Sequence, residues 1–283
     1  MHQLSITLDE EGERLSSPTF VFAEPVMKEL YVLSSSRVCI YDEDYYPMYT
    51  FGKGRGVETP VGLAVDAEGY VYVAQAPAEK GGKYRVSVFN PSFRLERDIH
   101  LEGFEGDDSF TPSRVAVGGK GLIYVAGSGF PGVPVIHRDG RLEDFLQPME
   151  DDRKIQVNDV AVGGDGRIYL LSAETSHVYV YDENRRFLFS FGKKGGSSGK
   201  MSRPVGIDVD NRSGLVYVVD YMRHTVLVHD REGKYVNEFG GLGWGAGWFQ
   251  YPSDLTVDST GRIIVADTFN NRVEVFSPAR GGQ

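Results

Sequence analysis

Close to its C-terminus the chain reads Pro252-Ser-Asp-Leu-Thr-Val-Asp258, then a polar turn through Gly261, then Ile263-Ile-Val-Ala-Asp-Thr-Phe-Asn-Asn-Arg-Val-Glu-Val-Phe276. Three short apolar runs alternate with turn residues. Runs this short, with a period of two and a glycine between the first pair, predict strands joined by hairpins and exclude an amphipathic helix. The same phrase stands upstream as Pro60-Val-Gly-Leu-Ala-Val-Asp66, Pro112-Ser-Arg-Val-Ala-Val-Gly118, Val157-Asn-Asp-Val-Ala-Val-Gly163 and Pro204-Val-Gly-Ile-Asp-Val-Asp210. A degenerate sixth copy, Pro18-Thr-Phe-Val-Phe-Ala23, lacks the turn glycine.

Units starting near 18, 60, 112, 157, 204 and 252 repeat about every 47 residues, each with second and third apolar runs and all but the last with a fourth, which ends in an aromatic residue at Phe51, Phe145, Phe191 and Phe239 and in Ile99 in the second unit. Four alternating strands per unit at that spacing describe a propeller blade. The last unit stops after its third strand, while residues 4–8, Leu-Ser-Ile-Thr-Leu, alternate like a strand and belong to no other unit. They are expected to supply the missing outer strand, since closure leaves no unpaired edge. The expected fold is therefore all-β: one six-bladed β-propeller over residues 1–283, built of four-stranded antiparallel blades, with residues 1–17 completing the last.

Blade geometry explains several residue choices. Sheets converge at the axis, so the middle of the innermost strand should be small, as at Ala64, Ala116 and Ala161; Phe22, Asp208 and Thr256 break that rule. Gly69, Gly121, Gly166, Gly214 and Gly261 are expected at positive φ in the first hairpins.

Composition excludes other classes. No run approaches the roughly 18 apolar residues of a membrane-spanning helix. One cysteine rules out internal disulfides and multi-cysteine zinc sites. The formal charge is -10, which disfavours nucleic acid as a partner, and the small basic pairs Arg185-Arg186 and Lys193-Lys194 read as solvated surface.

The run from Val265 to Phe276, with its Asn-Asn-Arg element, resembles the NHL repeat, and the stretch containing Val219-Asp-Tyr-Met-Arg-His-Thr-Val226 resembles it nearly as well. The resemblance implies a β-propeller whose relatives include protein-binding platforms, bacterial sensor domains, RNA readers and, less often, lyases or hydrolases. It also implies a bacterial, extracytoplasmic setting, by likeness to secreted bacterial repeat proteins. A fold of this kind does not carry one function.

Two groups of residues are candidate sites. Two positions after the repeat proline stand Phe20, Gly62, Arg114, Asp159, Gly206 and Asp254, expected to ring one mouth of the channel, with Asp208 one layer deeper. Arg114, Asp159, Asp254 and Asp208 are thus candidate ligand residues, for a polar ligand or for calcium, whose ligands are carboxylate and carbonyl oxygens. The competing account is a hydrated channel in which the carboxylates pair with Arg114 or water. The second site is the loop Gly240-Gly-Leu-Gly-Trp-Gly-Ala-Gly-Trp-Phe-Gln-Tyr251, where Phe249 fills the repeat's aromatic slot and Trp244 and Trp248 are surplus. Tryptophan is enriched at binding hot spots, so Trp244, Trp248 and nearby Tyr221 are candidate partner-binding residues. Connections 75–83 and 100–111, the latter acidic, are expected on the same face.

The six histidines do not form a zinc set: His2 is terminal, His137 and His229 replace aromatics in third strands, and His100, His177 and His224 lie away from the axial strand. The glycine-rich run 192–200 precedes a strand, not a helix, and lacks Walker spacing. No Gly-x-Ser-x-Gly elbow occurs. The function expected is a noncatalytic scaffold that recognises a protein or peptide through its loop face and channel mouth, with no membrane insertion and no resident cofactor. The alternative is a metal-dependent lyase or lactonase-like hydrolase at the channel mouth.

Overall fold

Second strands buried at every position, such as Leu30–Ser34, Val71–Gln75 and Val216–Asp220, leave each sheet apolar on both faces, and such sheets are stabilised by stacking face to face around an axis. The computed structural model describes residues 1–278 except 78, 80 and 81. Five four-stranded antiparallel sheets are built from consecutive strands. Their innermost strands are Pro18–Ala23, Pro60–Val65, Thr111–Val117, Asp159–Val162 and Pro204–Val209 (blades 1 to 5). Blade 6 runs outward from Asp254–Val257 through Ile263–Asp267 and Arg272–Phe276 to the N-terminal strand His2–Ile6.

Closure is therefore as expected, with the register His2 to Phe276, Ser5 to Glu274 and Ile6 to Val273. The closing strand lies two residues earlier than residues 4–8. Leu8 instead bridges to Arg14, in a turn whose amides Asp9 holds through Oδ1. A small hairpin, Met149–Glu150 with Arg153–Lys154, sits between blades 3 and 4. Its alternation is too short to be visible in sequence.

The core is six apolar clusters, each shared by two neighbouring blades. Leu63, Leu255 and Ile207 of the inner strands are at most 4% exposed, and full burial of such a side chain contributes about 1.5–3 kcal/mol. The five hairpin glycines have φ between 67° and 85°, the left-handed region in which a side chain is strained. Among the described residues no helix is long and apolar enough to cross a membrane.

The face of the ring where innermost strands begin is termed the upper face, and the face where they end the lower face.

Candidate functional site

An innermost strand has one edge without a partner strand, so its N–H groups there need other acceptors. Aspartates of the preceding blade supply them. Asp159 Oδ2 accepts from the Ile207 amide at 2.8 Å, Asp208 Oδ2 from the Val257 amide at 2.8 Å, and Asp254 Oδ2 from the Val21 amide at 3.1 Å. The Thr256 hydroxyl donates to Asp208 Oδ2 at 2.9 Å and accepts from the Ala23 amide at 3.1 Å. Blades 4, 5, 6 and 1 are thereby strapped in sequence at the axis. Asp208 and Thr256, which broke the small-residue rule, are members of this strap.

Arg114 lies across the same level. Its Nη1 donates to the Val61 and Ser113 carbonyls at 3.0 and 3.1 Å, and its Nη2 to the Ser253 carbonyl at 3.4 Å. Nε stands 3.8 Å from Asp159 Oδ1 and 4.0 Å from Asp254 Oδ1, and the guanidinium covers the Phe20 ring at 5.1 Å. A register shift after Pro112 turns Arg114 toward the axis, as bulges re-aim side chains, and the same shift follows Pro18, Pro60 and Pro204. Burial raises the Asp159 and Asp254 carboxyls, and Arg114 pulls both down. Burial pushes Asp208 up to about 6 against its three donors. Asp208 is half-buried and lines the channel cavity.

The structure thus joins Arg114, Asp159 and Asp254 but places them inside the channel, not on an open rim. Asp159 and Asp254 are 4% and 2% exposed, because their oxygens are committed to the neighbouring blade. Gly62 and Gly206 belong to this level for packing: a Cβ at Gly62 would lie 2.3 Å from the Ser113 carbonyl oxygen, and one at Gly206 would lie 2.6 Å from Asp254 Oδ1. Below the belt a cavity of about 350 Å³, walled by Phe22, Val117, Val162, Val209 and Val257, runs to Pro25, Asn211 and Ser259 at the lower face. Among the described residues no three His, Cys, Asp or Glu side chains gather as a metal site.

On the upper face, Trp244 is 77% and Trp248 52% exposed, while Phe249 is fully buried between blades 5 and 6. The loop carrying them is held from below. Asp267 Oδ1 accepts from the Gln250 amide at 2.6 Å; Asn270 donates to the Gly243 carbonyl at 2.9 Å; Arg272 donates to the Gly245 and Trp248 carbonyls, both at 2.9 Å. Asp267 in turn accepts from Asn270 at 2.7 Å and from Arg272 at 2.9 Å. Burial raises the Asp267 carboxyl, and these three donors pull it down. Arg272 also meets the fully buried Glu274 at 2.8 Å, whose other oxygen is 2.5 Å from His2 Nε2. The Asp-x-x-Asn-x-Arg pattern is therefore a loop clamp tied to the ring closure, and the NHL repeat matches residues 249–276, the segment that carries it.

The chain is a six-bladed β-propeller that carries an NHL repeat at residues 249–276. A search of curated proteins finds no match. Among solved structures the propeller is similar to virginiamycin B lyase from Staphylococcus aureus, at 12% identity over 99% of this chain and 89% of that chain, with a TM-score of 0.62. A catalytically inactive form of that lyase, in which a histidine is replaced by alanine and quinupristin is present, matches at 13% identity over 97% of this chain and 87% of that one, with a TM-score of 0.61. An auxiliary nutrient binding protein from Bacteroides ovatus matches at 14% identity over 99% of this chain and 78% of that one, with a TM-score of 0.70. Identities this low establish the fold alone.

Tyr221, the third of the expected partner-binding residues, lies on the same face of the propeller as the tryptophans. Its ring is 4.9 Å from Tyr251, which is 5.0 Å from Phe269, and the Arg203 guanidinium covers Tyr221 at 5.2 Å. Phe269 and Met222, 56% and 51% exposed, were not singled out from sequence. Each sits two residues after a buried Asp, at 267 and 220, and that spacing was the available signal. The histidines stay apart. His229 is buried between Phe191 and Tyr235, His224 accepts the Tyr251 amide at 3.0 Å, and His137 and His177 face Glu143 and Glu150. His100 is exposed, and none of the six lines the channel cavity. In the connection 100–111, Phe104 packs on Phe110, Phe130 and Phe145; connection 75–83 includes residues 78, 80 and 81, which lie outside the described residues.

Proposed function

We propose that this propeller is a noncatalytic recognition module that binds a protein or peptide on its upper face, centred on Trp244, Trp248 and Tyr221. The observation that carries this is the contrast between two solvent-exposed indoles and the fixed backbone beneath them. Large aromatic surface held in one conformation loses little entropy on binding. Trp244→Ala is expected to leave the melting temperature within about 1 °C of wild type, since an exposed side chain adds little to folding, and to weaken capture of a native partner. An unchanged set of captured partners overturns the proposal.

A second reading, a lyase or hydrolase working in the channel, is supported by the cavity and its Asp159, Asp208 and Asp254 end, with Arg114 beside Asp159 and Asp254. Two features weigh against it. The carboxylate oxygens already strap the blades, and the cavity lining has no histidine, the residue type whose loss accompanies inactivity in the S. aureus lyase. Calcium and magnesium titrations monitored by melting temperature decide between the two. A stabilisation of several degrees that Asp159→Asn abolishes favours the enzyme and a channel-bound cation; indifference to both ions favours the recognition module.

A further inference from the structure

The two interblade loops of the upper face around blade 5, residues 192–203 and 240–251, are one scaffold built twice. Met201 donates to the Lys193 carbonyl at 2.8 Å and accepts from Gly195 at 2.8 Å; Phe249 donates to the Gly241 carbonyl at 2.8 Å and accepts from Gly243 at 3.0 Å. Each makes the same isolated parallel bridge, Lys194 to Met201 and Leu242 to Phe249. Each is held by an aspartate that accepts from the loop, Asp220 from Ser202 and Asp267 from Gln250. Each is held too by an arginine that donates to matching carbonyls, Arg223 to Lys200 at 2.8 Å and Arg272 to Trp248 at 2.9 Å.

Superposing the two patterns puts Lys194 where its twin has Leu242, Lys200 where it has Trp248, and Arg203 where it has Tyr251. The same backbone thus carries cations beside one flank of blade 5 and apolar rings beside the other. The flanks touch: Arg203 stacks on Tyr221, and Tyr221 on Tyr251. Lys194 and Arg203 are exposed, and the Lys194 ammonium makes a long hydrogen bond of 3.3 Å to the Glu174 carbonyl. On a chain of net charge -10, Lys194, Lys200 and Arg203 place three cations on the loop across blade 5 from the tryptophan loop.

Resting on the upper-face reading, we infer that the loops form one bipartite site for an acidic linear segment of a protein, its carboxylates over Lys194, Lys200 and Arg203 and its apolar anchor against Trp244 and Trp248. Charge complementarity selects the occupant: three cations on one loop attract an acidic chain that the net negative charge of the protein otherwise repels. Phosphate-bearing strands meet the same repulsion over a longer backbone, which makes a peptide the favoured class.

The test uses the full chain and fluorescein-labelled peptides of alternating Glu and Phe, Gln and Phe, or Lys and Phe, together with a polyuridine oligonucleotide, read by anisotropy. The Glu-Phe peptide is expected to bind at least about tenfold more tightly than the Gln-Phe peptide, with salt weakening it. The double variant Lys194→Glu with Arg203→Glu should remove that advantage, and Trp244→Ala with Trp248→Ala should weaken both peptides. Equal binding of the Glu-Phe and Gln-Phe peptides, with the charge reversal silent but the tryptophan variant weakened, overturns the acidic-segment inference and leaves the upper-face reading standing. Peptide binding that survives the tryptophan variant overturns both. Binding of polyuridine in preference to every peptide also overturns the inference.

Discussion

At the residue scale, the channel aspartates show how one side chain can serve the fold while looking like a ligand. Asp159, Asp208 and Asp254 accept backbone amides that no strand pairs, and Arg114 is the cation that makes the density of negative charge tolerable. Arg114→Ala is expected to cost about 3 kcal/mol, because it leaves two buried carboxylates without their cation; urea midpoints measure this. Burial raises these carboxyls, so the folded chain holds their protons more tightly than the unfolded chain does. The stability so conferred is complete below the ordinary aspartate range and is lost as pH climbs through the folded value, about 6 for Asp208. Wild-type stability minus that of Asp208→Asn should accordingly fall between about pH 4 and about pH 7 in chemical denaturation; a difference that grows across the interval refutes the assignment. Gly62→Ala is expected to cost about 1–3 kcal/mol, since its methyl would overlap the Ser113 carbonyl and blades 2 and 3 would have to part.

At the scale of the element, the clamp beneath residues 240–251 gives the NHL-matched segment, residues 249–276, its structural role. Asp267, Asn270 and Arg272 leave the blade-6 turn to hold the backbone of the loop before it, so that strand and loop order each other. Arg272 also neutralises Asp267 and Glu274, both wholly buried. Asn270→Ala removes a loop tie without stranding a charge, and is expected to cost about 1 kcal/mol while speeding amide exchange at Gly243 and Phe249. Arg272→Ala removes the tie and the cation together and is expected to cost about 3 kcal/mol or more. Hydrogen exchange resolved by mass spectrometry separates the two: equal protection of the loop in wild type and in both variants would show that it is held by Phe249 burial alone.

For the whole molecule, the ring depends on five residues from the opposite end of the chain. His2–Ile6 covers the edge of Arg272–Phe276, with the imidazole of His2 and the hydroxyl of Ser5 both on Glu274. Deleting residues 1–8 exposes an apolar strand edge, the usual route to edge-to-edge pairing. The truncated chain is expected to melt at least several degrees lower and to elute as dimers or larger species in size-exclusion chromatography; a monomer of unchanged melting temperature would mean the ring is held by interblade packing without the latch.

The repeat spacing, the surplus strand at residues 4–8 and the truncated final unit determined blade number, strand order and closure by themselves, because alternation and turn chemistry are local and the ring has one way to pair its last edge. The left-handed hairpin glycines and the aromatic slot of Phe249 were legible for the same reason. What Arg114 and the channel aspartates do was not, since whether a carboxylate faces solvent or an unpaired amide depends on the neighbouring blade, about 47 residues away, and on the bulge that aims it. Nor could the chain alone show that two loops, one basic and one aromatic, share a scaffold side by side. Their likeness lies in backbone hydrogen bonds, which glycine-rich sequences of different side chains form equally well, and only the packed ring brings Arg203, Tyr221 and Tyr251 into contact.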